Sequence, residues 1–143
     1  MNRENIQALI DVLTKASDVA FSFECFIVRK SFPVDRIDAD IVTELREHNQ
    51  SNECGTAACI CGYINYVLEN KEAMSSLDAS EWLGLDYTTA RHLFGLSSGW
   101  RIDSSSPWVK ANKLGYVPGF SVHQEVTREH AITVLQLMLD GKI

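Results

Sequence analysis

The stretch of sequence that decides the fold is residues 54–70, which read Cys-Gly-Thr-Ala-Ala-Cys-Ile-Cys-Gly-Tyr-Ile-Asn-Tyr-Val-Leu-Glu-Asn. No proline interrupts it, and one aliphatic stripe recurs at helical spacing, at Ile60, Ile64, Val67 and Leu68. Small residues and two tyrosines cover the other faces. A helix that is apolar on most sides is a buried one. We therefore predict a buried central helix over about residues 56–70.

Shorter helices are predicted on both sides of this central helix. Apolar residues at helical spacing predict helices over roughly residues 3–15 and from Ile37 to about His48. Two short helices follow, one stopping at Gly84 and one over about residues 88–94. Thr127 is expected to cap a last helix that stops at Gly141.

Two segments depart from this helical pattern. Phe21, Phe23 and Cys25 alternate with polar residues, which predicts one minor strand or hairpin near residues 19–28. Residues 97–125 are rich in glycine, serine and proline and are predicted to form a long irregular loop. The expected fold class is therefore mostly α, a compact bundle of short helices around the central one.

Composition bounds the class of protein. A chain of 143 residues with 45% hydrophobic and 22% charged residues is expected to form a single globular domain over residues 1–143. No apolar run approaches a membrane span, and the polar start at Met1–Asn5 is unlike a signal peptide. The basic residues are scattered and the net charge is −6, which argues against nucleic-acid binding. We predict a cytoplasmic protein with reduced cysteines, bound to neither membrane nor nucleic acid.

A metal site is the first chemistry that the cysteines suggest. Cys54, Cys59 and Cys61 follow His48 closely. On one helix, however, Cys59 and Cys61 would point about 200° apart and could not share an ion. The spacing also lacks the usual close pair of zinc ligands. We therefore predict no metal and no cofactor, and interpret Cys59 and Cys61 as small core residues.

A catalytic cysteine is the second possibility. A thiol at the start of the predicted helix, Cys54, would be activated by the helix dipole. Cys54-Gly55-Thr56 faintly resembles the start of papain-like active sites, but no aromatic residue follows and the chain is too short for their distant His and Asn. The candidate bases are His48, His92, His123 and His130. The alternative function is thus a cysteine-dependent hydrolase or transferase that uses Cys54 with a histidine such as His123.

The segment from Cys54 to Gly62 also resembles a family of small, largely uncharacterised phage and bacterial proteins with a Cys-Gly-Thr-x-x-Cys-x-x-Gly helix start. Segments like residues 79–85, 90–94 and 127–131 follow in the same order. The family more usually has alanine at position 61, which favours a packing role for Cys61. The resemblance implies no activity. It implies a phage setting, in which small accessory proteins act by binding, including against host defences.

The aromatic residues of the loop after Ser97 supply the preferred functional hypothesis. Aromatic rings there could stack on a planar ligand while cations meet a phosphate. The predicted ligand-binding residues are Trp100, Arg101, Trp108, Lys110 and Tyr116. Against this hypothesis stands the simpler interpretation that the aromatics only cover the core.

The function predicted on this basis is a non-catalytic, phage-type accessory factor in the host cytosol. It would capture a small ligand, for which a nucleotide-derived defence signal is one candidate, or dock on a host protein. A third hypothesis is an oligomeric protein-interaction module whose exposed aromatics form hot spots. The sequence leaves the oligomeric state open.

Overall fold

The central segment is buried, but it begins as a strand. The computed structural model describes residues 1–16, 18, 21–23, 27–29, 56–69, 75–121 and 125–143. Thr56–Ala58 forms strand β2, which pairs antiparallel with β1, Ile27–Arg29. The prediction of a helix from residue 56 was therefore wrong at its start, because the backbone of these three residues is extended and hydrogen-bonded to β1. The minor strand expected near residues 19–28 is present at the end of that range.

The central helix begins at Ile60 and changes its winding after one turn. Ile60–Gly62 forms α2, which continues as a π-helix over Tyr63–Leu68. In this segment the Asn65 side chain bonds two backbone carbonyls. Its Nδ2 donates to the Cys61 carbonyl at 3.0 Å and to the Ser75 carbonyl at 3.1 Å. Residues 60–66 are all buried, so the predicted buried centre is confirmed.

The remaining helices are short and capped. Helix α1 spans Arg3–Lys15, α3 Ser76–Leu83, α4 Tyr87–Leu93, α5 Pro107–Lys113 and α6 Arg128–Leu139. Ser75, Asp86 and Thr127 each accept a backbone N–H at a helix start, as N-caps do. The mostly helical fold class is thus confirmed. The helix predicted up to His48 lies outside the described residues.

The helices pack around α1 and the π-helix. Helix α1 lies against α6, α3 and the π-helix, while α5 lies between α4 and α6. The apolar face of α1 is fully covered, with Ile6, Leu9, Ile10 and Leu13 buried. No helix of the described residues combines the length and apolar character needed to cross a bilayer.

The predicted irregular loop over residues 97–125 contains a helix, which corrects that expectation. Pro107 stands at the first position of α5, where its fixed φ favours a helix and its missing N–H costs nothing. Ser106 precedes it as the N-cap residue. Trp108 and Ala111 of this helix are buried, so its apolar side stabilises it against the core.

Gly95 allows the chain leaving α4 to pass close to the core. Its φ is +72°, and a Cβ there would lie 2.5 Å from Cε1 of Phe23. Gly115 has a similar φ of +77° but open space around it. We expect Gly115→Ala to lower the free energy of unfolding by about 1–2 kcal/mol through backbone strain alone. Gly95→Ala should lower the free energy of unfolding by about 1–3 kcal/mol more than Gly115→Ala does. The added methyl group would collide with Phe23, which is held between two tryptophans.

Urea unfolding of the two glycine variants beside the wild type measures the difference. Equal losses would show that Phe23 can move away and that the close approach at Gly95 carries no constraint.

The start of α6 is predicted to be sensitive to acid. His130 Nδ1 accepts the Thr127 backbone N–H at 3.2 Å, which requires the unprotonated ring nitrogen. Burial lowers the pKa of His130, against the opposing charge of Glu129. As the pH falls, His130 therefore takes up a proton in the unfolded chain before it does so in the folded protein. The free energy of unfolding should decrease as the pH drops below about 6.5.

His130→Gln keeps a side-chain acceptor at this capping-box position but does not titrate. We expect the free energy of unfolding to fall less between pH 7.5 and 5.5 in this variant than in the wild type. An identical fall in both would exclude His130 as the source.

Candidate functional site

Four aromatic rings from separate segments meet in one cluster. Phe23 precedes β1, Trp100 follows α4, Trp108 belongs to α5 and Phe120 follows α5. The ring centroids of Phe23 lie 5.0 Å from Trp100 and 5.1 Å from Trp108, and those of Phe120 lie 5.9 and 5.7 Å from the same two rings. These separations and tilted geometries are the favourable ones for aromatic pairs. We call these four residues the aromatic cluster.

Trp108 is the structural centre of the cluster. It is 1% exposed, and its indole N–H donates to the Leu93 carbonyl at the end of α4, at 3.1 Å. A buried tryptophan whose polar atom is satisfied stabilises the fold. The interpretation that loop aromatics cover the core therefore holds for Trp108.

One side of the cluster borders an open cleft of about 230 Å³. We call it the Arg101 cleft, and its lining residues are Phe23, Phe94, Gly95, Leu96, Trp100 and Arg101. Trp100 is 8% exposed, so only part of its ring faces outward. The cleft is thus a mostly aromatic concavity with one cation at its edge.

Arg101 is held by contacts that leave most of its donors available. Its guanidinium carbon lies 4.8 Å from the centroid of the Trp100 ring. Its Nη1 donates to the Ser121 carbonyl at 2.7 Å. Among the described residues no carboxylate forms an ion pair with Arg101. A guanidinium has five N–H donors, so this one is positioned by the protein and retains capacity for an anion.

A larger cavity of about 350 Å³ lies at the start of α6, but its arginine is already occupied. Arg128 Nε bonds the Asp18 carboxylate at 2.8 Å, and its Nη1 bonds the carbonyls of Leu13 and Thr14 at 3.0 and 3.2 Å. That guanidinium fastens the end of α1 to α6. Three carboxylates, of Asp18, Glu125 and Glu129, also line the cavity and disfavour an anion there. The larger cavity is therefore less suited to an anion than the Arg101 cleft is.

The residues predicted to bind a ligand separate into three groups. Trp100 and Arg101 line the cleft, whereas Trp108 supports it from within. Lys110 and Tyr116 do not line it; both are exposed, and the Tyr116 ring lies 5.5 Å from Nζ of Lys142.

Four lining residues, Phe23, Phe94, Gly95 and Leu96, were not among the predicted site residues. Phe23 lies far from the loop in sequence, whereas the other three directly precede it. Phe23 was assigned to a strand, and Phe94 to the end of a helix. For Phe23 the sequence does contain a signal. The alternation of Phe21 and Phe23 with polar residues indicates that both side chains face the core.

The structure changes the case for cysteine chemistry. Cys54 and His123 lie outside the described residues. The central helix begins at Ile60, and β2 stands between it and Cys54 in the sequence, so Cys54 does not directly precede that helix. Cys59 and Cys61 are buried, as interpreted, and burial next to Cys59 raises the pKa of the Cys61 thiol well above its usual range. A thiol held protonated in this way is a poor nucleophile.

The two described histidines lie outside the cleft, one buried beside Ser105 and one in a helix cap. His92 is buried, with Nδ1 3.4 Å from Oγ of Ser105, and His130 completes the cap of α6. In the part of the chain that the structure describes, no group of three or more His, Cys, Asp or Glu residues is placed to hold a metal ion.

No protein-family model matches the chain, and no curated protein or solved structure shows significant similarity to it. The functional assignment therefore depends on the chemistry of the site.

Thiol labelling tests the packing of the central helix. In a Cys25→Ser/Cys54→Ser variant, only Cys59 and Cys61 remain of the four cysteines. We expect both to resist Ellman's reagent in the native protein at pH 8 and to react at once in 6 M guanidinium, because they are buried.

The unsubstituted protein serves as the comparison and reports on Cys54. If the unsubstituted protein is labelled rapidly at pH 6 and the Cys54→Ser variant is not, the cysteine-enzyme hypothesis is supported. Fast native labelling of Cys59 or Cys61 would contradict their burial.

Proposed function

We propose that this protein is a non-catalytic binding protein that captures a small anionic ligand in the Arg101 cleft. The observation that carries the proposal is the guanidinium of Arg101, stacked on Trp100 at the edge of an aromatic concavity. Ligand sites are typically apolar concavities with a few placed polar groups. Three of the six described lining residues of this cleft are aromatic, and Arg101 supplies a placed polar group among them.

The position of Arg101 favours ligand capture over a purely structural role. A guanidinium on an indole face is attracted to the ring and is held in one plane. The bond to the Ser121 carbonyl fixes one end of that plane. A preorganised cation loses little conformational freedom when an anion arrives, so binding retains more of the interaction energy.

The lining of the cleft favours binding over catalysis. Its six described residues include no cysteine, serine, histidine, carboxylate or other group that exchanges protons near neutral pH. General acid–base and nucleophilic chemistry both need such a group within hydrogen-bond reach of the substrate. Arg101 can hold and orient an anion, but it stays charged and does not transfer a proton.

The biological setting is proposed from the resemblance of residues 54–62 to small phage and bacterial proteins. It supports a phage-type accessory factor that acts in the host cytosol. Sequestration of a small host-defence signal, including one derived from a nucleotide, is an activity that needs a binding cleft and no catalytic group.

A thermal-shift screen tests the proposal. The panel contains mono-, di- and cyclic nucleotides together with small aromatic acids. A ligand present at 100 times its dissociation constant should stabilise the protein by about 2.7 kcal/mol. Arg101→Gln should remove most of that shift, since it removes the cation of the cleft.

Lys110→Gln is the matched control, because Lys110 is an exposed cation that does not line the cleft. It removes the same charge and should leave the shift unchanged. The proposal fails if no member of the panel shifts the transition, or if both variants weaken binding equally.

A further inference from the structure

The geometry points to a single-ring aromatic carboxylate as the ligand class of the Arg101 cleft. This inference rests on the proposed function and narrows it. The carboxylate would pair with Arg101, and the ring would pack against Phe94, Phe23 and the exposed part of Trp100.

The volume of the cleft sets the size of the ligand. An apolar cavity of about 150 Å³ holds benzene. The cleft measures about 230 Å³, so one ring leaves space for one small acidic group. A nucleotide adds a ribose and a phosphate to a base that already fills most of this volume. Its larger part would remain in solvent and would gain no burial.

The charge of the site favours a monoanion. Among the residues that the structure describes, Arg101 is the one cation in the lining, and the protein as a whole carries a net charge of −6. A phosphate dianion would meet twice the long-range repulsion with a single guanidinium to compensate.

The available donors match the two oxygens of a carboxylate. Arg101 donates one hydrogen bond to the protein, so it can offer two parallel N–H groups to one carboxylate. Within the described residues the Trp100 indole N–H has no hydrogen-bond acceptor, whereas that of Trp108 bonds Leu93. This unpaired donor belongs to the same ring that Arg101 contacts.

Tryptophan indole resonances of ¹⁵N-labelled protein test the inference, because the three tryptophans differ in position. Trp100 lines the cleft, Trp108 lies behind it and Trp82 belongs to α3. The probes are benzoate, its neutral isostere benzamide, the non-planar cyclohexanecarboxylate, and adenosine monophosphate. We expect benzoate to shift the indole resonance of Trp100 and to change that of Trp82 little.

The expected order of affinity separates the contributions. Benzamide and cyclohexanecarboxylate should each bind more weakly than benzoate, benzamide by about 10- to 100-fold for the lost charge-assisted hydrogen bonds. Arg101→Gln should lower the affinity for benzoate by a similar factor, and Lys110→Gln should lower it by less than about 2-fold. Unchanged Trp82 and Trp108 resonances in the free Arg101→Gln protein would show that it is folded.

The outcomes distinguish this inference from the proposed function. Equal binding of benzamide and benzoate, or benzoate binding that Arg101→Gln leaves intact, overturns the carboxylate assignment. If adenosine monophosphate shifts the Trp100 resonance and binds more tightly than benzoate, the carboxylate assignment is overturned as well. That result would still support ligand capture in the cleft. If no probe shifts Trp100 and the thermal-shift panel is also negative, the proposed function fails together with it.

Discussion

The packing of Trp108 is the interaction on which the rest of the described structure depends. Its ring contacts Phe23, Trp100 and Phe120, and its N–H bonds the last turn of α4. Helices of seven or eight residues are unstable alone, so α3, α4 and α5 need such tertiary contacts to persist. One buried side chain thus joins segments that are remote in sequence.

The same packing explains why the candidate site has its particular form. Rings that face one another in the cluster are not available to a ligand, and only Trp100 and Phe23 extend from it to the cleft. Arg101 follows Trp100 directly, so fixing the ring also fixes the cation. The stability of the cluster and the preorganisation of the site therefore have one physical cause.

Sequence periodicity predicted the elements whose stability is local or amphipathic. The bounds of α1 and the glycine stops after α3 and α4 follow from spacing and capping alone. It failed at Thr56–Ala58, whose strand exists only because β1 lies beside it. It also failed at Pro107, which begins a helix here. The strand depends on a partner distant in sequence, which no local pattern contains. The helix has a local start signal, a proline at its first position, which the loop prediction did not use.

The sequence indicated only part of the cleft lining for the same reason, and the ligand-binding role of those residues stays a prediction. Trp100 and Arg101 are neighbours in the chain, so one short segment shows both the ring and the cation. Phe23 reaches the cleft from the other end of the sequence, and Lys110 leaves it because α5 turns its charged side to solvent. Helix α5 directs Trp108 to the core and Lys110 to solvent, while Arg101, which precedes the helix, lines the cleft.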